Sequence, residues 1–450
     1  MDRFFHAYHR FFRRWVPSPL TLALGLTVVV VCLAMALTRP ADRGAVAWLG
    51  ELSTMWFEGL WTPGLLAFAV KMMLMLVLGH IIALSAPARA LIDRLASATH
   101  TTTRAVVVTT VATLAVSLFN WGFGLIFGAI LAREVGLRAQ RDGRAIDYPL
   151  VAAAGYAGLM VWHGGLSGSA PLDVNDPAHG FVRQMGVVPV SETLFAPTNV
   201  VVNAVLILVL PLALVWLGRA VNRAAVPTIA HRTTDRPPDT PAAPAERFEA
   251  SPWPGRIAGL FVLAVFVHQL IRSGSALNGL NLNTVTLLLL ALAVLSHGSI
   301  RGFARALGQS IGDVSGILIQ FPLYFGIMGI MNGSGLVDLF SRGLIGLSSG
   351  STLPFFTFVS AGVVNFFVPS GGGQWKVQAP ILIEAARTVG VDQAKMVMAL
   401  AYGDQLTNML QPFWALPLLG ITGLGARDIL PYTLFIFLVG AVVFGVGVLI

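Results

Sequence analysis

The sequence predicts an all-α polytopic membrane protein, an inverted repeat of span, span, hairpin, span, span with two re-entrant hairpins and broken helices. Three observations predict it. Hydrophobic residues make up 56% of the chain and charged residues 11%, where a soluble domain carries about 25% charged residues. Apolar runs long enough to cross a bilayer recur from end to end, and mean hydropathy is +0.76. Two of those runs are interrupted by polar and glycine-rich stretches, at Asn120–Gly124 and Ser370–Gly373. Non-helical backbone at membrane depth survives only inside protein or beside a watery cavity.

The net charge of +8 is not a nucleic-acid signal, because the arginines sit in short loops between spans and report orientation. The single cysteine, Cys32, excludes an intrachain disulfide and a cysteine-rich metal site. No cleavage site follows the first apolar run, so that run is expected to stay as a span.

The elements follow in order. Segment 1–19 interleaves Arg3, Arg10, Arg13 and Arg14 with Phe4, Phe5, Phe11, Phe12 and Trp15, the pattern of an amphipathic helix on the cytoplasmic surface. A span over 20–38 exits, and 39–62, with Trp48, Trp56 and Trp61, reads as an outer interfacial region. A span over 64–86 returns to Arg89, Arg94 and Arg104. The apolar stretch 105–132 then lies between basic residues on both sides, with Arg133, Arg138, Arg141 and Arg144 after it. Both its ends are therefore expected in the cytoplasm, as a hairpin turning near Asn120. One long spanning helix is the competing reading. Segment 148–163 crosses outward, 164–197 is an outer loop holding Asp173, Asp176 and Glu192, and 198–217 re-enters. The basic, proline-rich stretch 219–254 reads as a cytoplasmic linker. Spans follow near 255–272 and 282–297, then a basic turn at Arg301 and Arg305, and a span over 310–332. A second interrupted stretch occupies 353–386 and enters from outside by alternation; spans at 396–420 and 431–450 complete the chain.

The expected organisation is thus a first transmembrane repeat over 20–218, the linker, a connecting span over 255–281 and a second repeat over 282–450. Ala-Arg-Glu-Val-Gly at 132–136 echoes Ala-Arg-Thr-Val-Gly at 386–390, and Gly155–Gly158 echoes Ala401–Asp404. The first hairpin enters from the cytoplasm and the second from outside, so the repeats are inverted, an arrangement typical of secondary transporters.

Four stretches resemble the bacterial short-chain fatty acid transporter family: Phe119–Gly124, Val368–Trp375, Ala401–Gln405 and Gln411–Pro417. The likeness runs from Arg14-Trp15-Val16-Pro17 to the last span, with departures at His163, Gln374 and Lys376. It implies uptake of short monocarboxylates such as acetoacetate or butyrate across the bacterial inner membrane, in a fold related to the wider ion-transporter group; symport with a cation, H+ or Na+, is the expected coupling. The implied partners are that substrate and the lipid bilayer, with a homo-oligomer left open. No nucleic acid and no organic cofactor is expected; Na+ as coupling ion is the one inorganic candidate.

The residues themselves supply a candidate site. A short fatty acid has one carboxylate and a small apolar tail, so the site needs donors for the head and apolar walls for the tail. Three consecutive glycines suit a sharp turn with bare N–H groups rather than a packed helix. Ser370, Gly371, Gly372 and Gly373 are therefore substrate candidates, with Gln374, Trp375 and Gln378 beside them. The opposing tip supplies Asn120, Trp121, Gly122 and Gly124. The competing reading for both tips is a tight structural turn. Asp404 lies mid-span, where an ionisable residue is costly; with Asn408, Gln411 and Asn365 it is the coupling-ion candidate, and Pro412 and Pro417 would break its helix. The bland alternative is a carboxylate paired in a packed interface. His163, among Trp162, Ser167 and Ser169, reads as an interfacial residue first and a coupling group second. Lys376 either neutralises a carboxylate or snorkels to water; Lys71, His80 and His268 read as packed or interfacial. No Walker motif or nucleophile elbow is present. A transporter of another small organic anion, an intramembrane enzyme using Asp404, His163 and Glu384, and a channel are the rival functions.

Overall fold

The computed structural model describes residues 19–221, 223–229, 243–274, 279–346, 348–366, 371–411 and 414–450. Segment 1–18, most of the linker, Ser370 and Pro412 lie outside these residues. Within them the chain is almost entirely helical; the one β-bridge recorded pairs Ile146 with Ala225.

The first half runs α1 (Pro19–Leu37), α2 (Ala45–Leu60), α3 (Pro63–Ala83), α4 (Ala86–Ser97), α5 (Thr102–Phe119) and α6 (Trp121–Arg141). It continues through α7 (Tyr148–Tyr156, extended by a 3-10 turn Ala157–Met160), α8 (Ser169–Val174) and α9 (Pro197–Val221). The second half holds α10 (Pro252–Arg272), α11 (Leu282–His297), α12 (Ile300–Ser310), α13 (Ser315–Gly333) and α14 (Leu336–Ile345). It ends with α15 (Leu353–Asn365), α16 (Gly371–Val389), α17 (Gln393–Thr407), α18 (Leu416–Thr422) and α19 (Ala426–Gly447).

Five of the described helices (α3, α5, α9, α10 and α19) are long and apolar enough by themselves to cross a membrane. Their outward faces are apolar too: Leu208, Leu212 and Trp216 recur every fourth residue on α9 and are all exposed. A soluble helix would put charge there; such a stripe suits lipid.

α5 and α6 form an antiparallel hairpin. Asn120 between them is extended, with φ −154° and ψ 127°, and its Oδ1 accepts from Phe123 N at 2.8 Å, capping α6. A Cβ at Gly124 would collide with Ser117, and one at Gly128 would meet Thr113 at 2.8 Å. These pairs lie symmetrically about Asn120, so the chain doubles back there. α5 alone could span a bilayer by length, but α6 returns to the side from which α5 came.

α15 and α16 form a second hairpin. Gln374 Nε2 donates to Ala361 O at 2.8 Å and Gln378 Nε2 to Ser360 Oγ at 3.0 Å, binding arm to arm. Here the structure corrects the sequence reading. Gly371–Gly373 are not a non-helical tip but the buried first turn of α16. At Gly371 and Gly372 neighbouring side chains press so close that a Cβ would collide, which outweighs glycine's poor helix propensity.

Two further helices are broken. The expected spans 148–163 and 396–420 each stop short, α7 yielding to turns over 161–168 and α17 to turns that precede α18. Pro417 opens α18 rather than kinking a continuous helix. Both broken helices abut a hairpin through glycine: Gly158 against Ser117, and Gly403 against Phe358 and Ala361. Segment 39–62 also differs from its reading as a plain interfacial region. α2 packs on α13 through Gly59, whose Cβ would lie 3.0 Å from Gly329 Cα, and Trp48 Nε1 bonds Ala34 O at 3.3 Å. The basic turn expected at Arg301 and Arg305 is α12, bent 117° from α11.

Candidate functional site

The two hairpin ends and the two helix breaks meet at the centre of the molecule. His163, in the turns after α7, is fully buried. Its Nδ1 lies 3.0 Å from Asp404 Oδ2, and its Nε2 accepts from Ala170 N at 3.2 Å. An amide N–H can only donate, so Nε2 carries the lone pair and Nδ1 the proton given to Asp404. Gln405 Oε1 accepts from His163 N at 3.0 Å, fixing the loop. The interfacial reading of His163 is therefore replaced by a buried position hydrogen-bonded to Asp404. The sequence signal available was its place among Gly164, Gly165 and Gly168, which let the loop fold inward; Gly165 abuts the Leu118 backbone.

Asn365, at the end of α15, ties this pair to the break. Its Nδ2 lies 2.8 Å from Asp404 O, 2.8 Å from Thr407 Oγ1 and 3.0 Å from Asn408 Oδ1. Gln411 Nε2 donates to Asn365 O at 2.7 Å. Asp404, Asn408 and Gln411 thus share one face, as their spacing suggested, and Asn365 joins them from the second hairpin. Asp404 Oδ1 and Asn365 Oδ1 are buried acceptors without a hydrogen-bond partner. Burying such oxygens unsatisfied is costly; chemically, a carboxylate oxygen can take a proton and both kinds of oxygen can ligate a small cation. No group of three or more His, Cys, Asp or Glu residues suited to a metal occurs among the described residues.

The first hairpin end docks on the same loop. Trp121 N donates to Ser167 Oγ at 2.9 Å, and Leu166 N to Leu118 O at 2.7 Å. Trp121 then stands edge-on to Trp162 and Trp414, at centroid distances of 6.3 and 5.1 Å. With Phe68 and Met72 these rings wall a small apolar cavity whose polar edge is Ser169, Gly371 and Asn408. The cavity is tight, with about 10 Å³ open to the centre of a water-sized sphere, room for roughly one water.

Gly371 faces His163 so closely that a Cβ would collide with the imidazole; a Cβ at Gly372 would meet Phe68 at 2.8 Å. Gly373 continues the buried turn. Other candidates lie elsewhere. Gly122 packs on α3, where its Cβ would be 2.9 Å from Met75 O, and Gly124 packs inside its hairpin. Gln374 and Gln378 staple the second hairpin, and Trp375 is buried edge-on to Phe181 at 6.2 Å. Sequence reasoning missed Phe68, because an aromatic residue in an apolar span carries no distinguishing mark.

A larger cavity of about 580 Å³ lies between Arg133, Asp147, Tyr148, Arg223 and Tyr432. It contains none of the hairpin-end residues.

Apolar helices, two hairpins and two broken helices around a buried polar centre describe a multi-pass membrane transporter. The chain belongs to the short chain fatty acid transporter family, whose model matches residues 1–450. A relative in Escherichia coli (strain K12) that carries the provisional name of short-chain fatty acid transporter is 38% identical over 444 residues, 97% of each chain. A similarly named relative in Haemophilus influenzae (strain ATCC 51907 / DSM 11121 / KW20 / Rd) is 34% identical over 448 residues, again 97% of each. The family and these relatives are transporters, not enzymes. Two solved transporters align at 16% identity: Alcanivorax borkumensis YdaH at a TM-score of 0.46, over 96% of this chain and 98% of that one, and Neisseria gonorrhoeae MtrF at 0.48, over 98% and 97%.

Proposed function

We propose that the protein is a secondary active transporter that takes up short-chain monocarboxylates, such as acetoacetate or butyrate, by symport with H+ or Na+. The observation that carries this reading is the shared wall between the apolar cavity and the buried pair. Ser169 and Gly371 border the cavity, and Ser169 Oγ lies 3.4 Å from His163 Nε2, which links through the ring to Asp404. An apolar tail among Phe68, Trp121, Trp162 and Trp414 would place its carboxylate toward Ser169 and the first-turn N–H groups of α16. A cation or proton taken up at Asp404 is then felt by the bound anion, which is what symport requires.

In this reading α5–α6 and α15–α16 are re-entrant hairpins entering from opposite sides, the halves are inverted repeats, and the N-terminus is cytoplasmic in the bacterial inner membrane. The arginine distribution and the antiparallel hairpins support it. Alternating access opens the tight cavity to one side at a time.

Uptake of labelled butyrate into proteoliposomes under separately imposed proton and sodium gradients tests the proposal. One of the two gradients should drive accumulation above equilibrium, and labelled substrate should show counterflow. Uptake that only equilibrates, with no counterflow, would replace the carrier by a channel.

A further inference from the structure

The cavity's wall on α3 is built from Phe68 and Met72. Between them, in the middle of a span, stands Lys71, half-buried. A lysine at that depth is costly and marks function by default. Two other elements reach the same place. Ser169 opens α8 on the cavity edge, and Asp173 follows one turn later. Gly371 and Gly372 open α16 against Ser169, whose Oγ and Cβ would lie 2.9 and 3.3 Å from a Cβ at those glycines. Lys376 follows Gly372 by one turn.

These next turns carry charge that acts together. Lys376 is the strongest nearby charge on Asp173, and Lys71 also acts on it. Asp173 Oδ2 is nonetheless buried without a hydrogen-bond partner. The other neighbours of Asp173 are turned into their own loop: Asp176 Oδ1 accepts from Ala178 N at 2.9 Å, and His179 Nε2 lies 2.9 Å from Gly186 O. Two lysines and a carboxylate with one unpartnered oxygen among the described residues thus stand within a turn of the residues that line the cavity.

We propose that Lys71, Lys376 and Asp173 form a charge filter beside the cavity, in which the lysines draw in one carboxylate and Asp173 repels a second. The proposal rests on the cavity being the monocarboxylate site. A monocarboxylate brings a single anionic head and an apolar tail, and both find a match. A dicarboxylate would set its second anion against Asp173, a repulsion that little water is present to screen. Asp173 is thereby a specificity-determining residue, and the lysines are binding residues.

Butyrate uptake by the full chain in proteoliposomes, with succinate as competing dicarboxylate, tests the filter. K71Q and K376Q should each raise KM for butyrate about tenfold, or about 1.4 kcal/mol, with the maximal rate within about twofold. K71R and K376R should return KM to within about threefold of the unaltered protein. D173N should still transport butyrate, and succinate should inhibit it at concentrations about tenfold lower than before. Unchanged KM in the glutamine variants, or arginine variants as impaired as glutamine ones, would overturn the role of the lysines. Unchanged succinate inhibition in D173N would overturn that of Asp173. If K71Q does not reconstitute, the exposed Lys376 and D173N decide the matter. Failure of the unaltered protein to take up butyrate would instead remove the monocarboxylate reading and the filter with it.

Discussion

At the scale of single residues, His163 has both ring nitrogens committed, one to Asp404 Oδ2 and one to the Ala170 N–H. A second ring proton would force the Ala170 N–H against an N–H, so in the proposed symport a proton would be seated on Asp404, whose Oδ1 is unpartnered. Asp404→Asn keeps an oxygen for His163 and removes the titratable group. This variant should lose gradient-driven accumulation while retaining exchange of equal substrate across the membrane to within about threefold. Full accumulation by the variant would take Asp404 out of the coupling step. Gly371 offers a second test of the shared wall. A methyl there would strike the imidazole of His163, so Gly371→Ala should cut both accumulation and exchange by about tenfold or more. Gly122→Ala serves as contrast: it touches α3 rather than the cavity, so substrate affinity should change less than in Gly371→Ala, as binding assays on detergent-purified protein would show.

The spacing of Asp404, Asn408 and Gln411 already announced one polar face. Nothing in the sequence announced that His163, some 240 residues away in the chain, would be its partner; that pairing exists only because the turns after α7 fold inward.

At the scale of elements, the hairpin of α5 and α6 was legible from flanking arginines and an Asn-Trp-Gly-Phe-Gly interruption. Both signals have physical causes: positive charge stays on one side of the bilayer, and asparagine caps a helix. If the hairpin is re-entrant, cysteines replacing His100 and Gln140 in a Cys32→Ser background should both react with an impermeant thiol reagent from the cytoplasmic side only. Reaction from opposite sides would make α5–α6 a through-span. The second hairpin was legible too, but its glycine triad was misread as a turn. Helix propensity disfavours glycine by about 1 kcal/mol per residue in a helix interior. The collision of a Cβ with His163 or Phe68 is the larger penalty, and it is invisible without the neighbours. Gln374 and Gln378 show a second, structural use of polar residues that the sequence did not reveal. Polar residues beside a candidate site read as ligands, whereas here they bond across the hairpin arms.

At the scale of the whole molecule, tyrosine hydroxyls join the halves. Tyr148 donates to Thr422 O at 2.8 Å, Tyr156 to Asn408 O at 3.0 Å, Tyr402 to Asn199 Oδ1 at 3.0 Å and Tyr432 to Asp147 Oδ2 at 2.8 Å. Asp147 lies in the loop before α7, and burial raises its carboxyl above the ordinary value of 3.8, opposed by the bonds from Tyr432 and Leu150 N and by Arg223. The fold therefore binds this proton more tightly than the unfolded chain. The stability contributed by the group is full below the ordinary aspartate range and declines as pH rises through its folded value. Tyr432→Phe removes a donor to the ionised form, so its cost should grow with pH. Denaturation in detergent should show a loss of about 0.5–1.5 kcal/mol at pH 8 and a smaller one at pH 4. Equal losses at both would mean that the Tyr432 hydroxyl does not distinguish the ionised from the protonated form of Asp147.

The sequence by itself determined the class of the protein, the position of most helices, both hairpins and the polar face around Asp404. Each of these depends on local pattern: hydropathy, charge sidedness, capping and helical spacing. Only the tertiary structure decided that His163 is buried against Asp404, that Phe68, Trp121, Trp162 and Trp414 converge on one cavity, and that Gly371 begins a helix. These depend on which surfaces meet when helices from both halves pack, and contact across the chain has no local pattern to betray it.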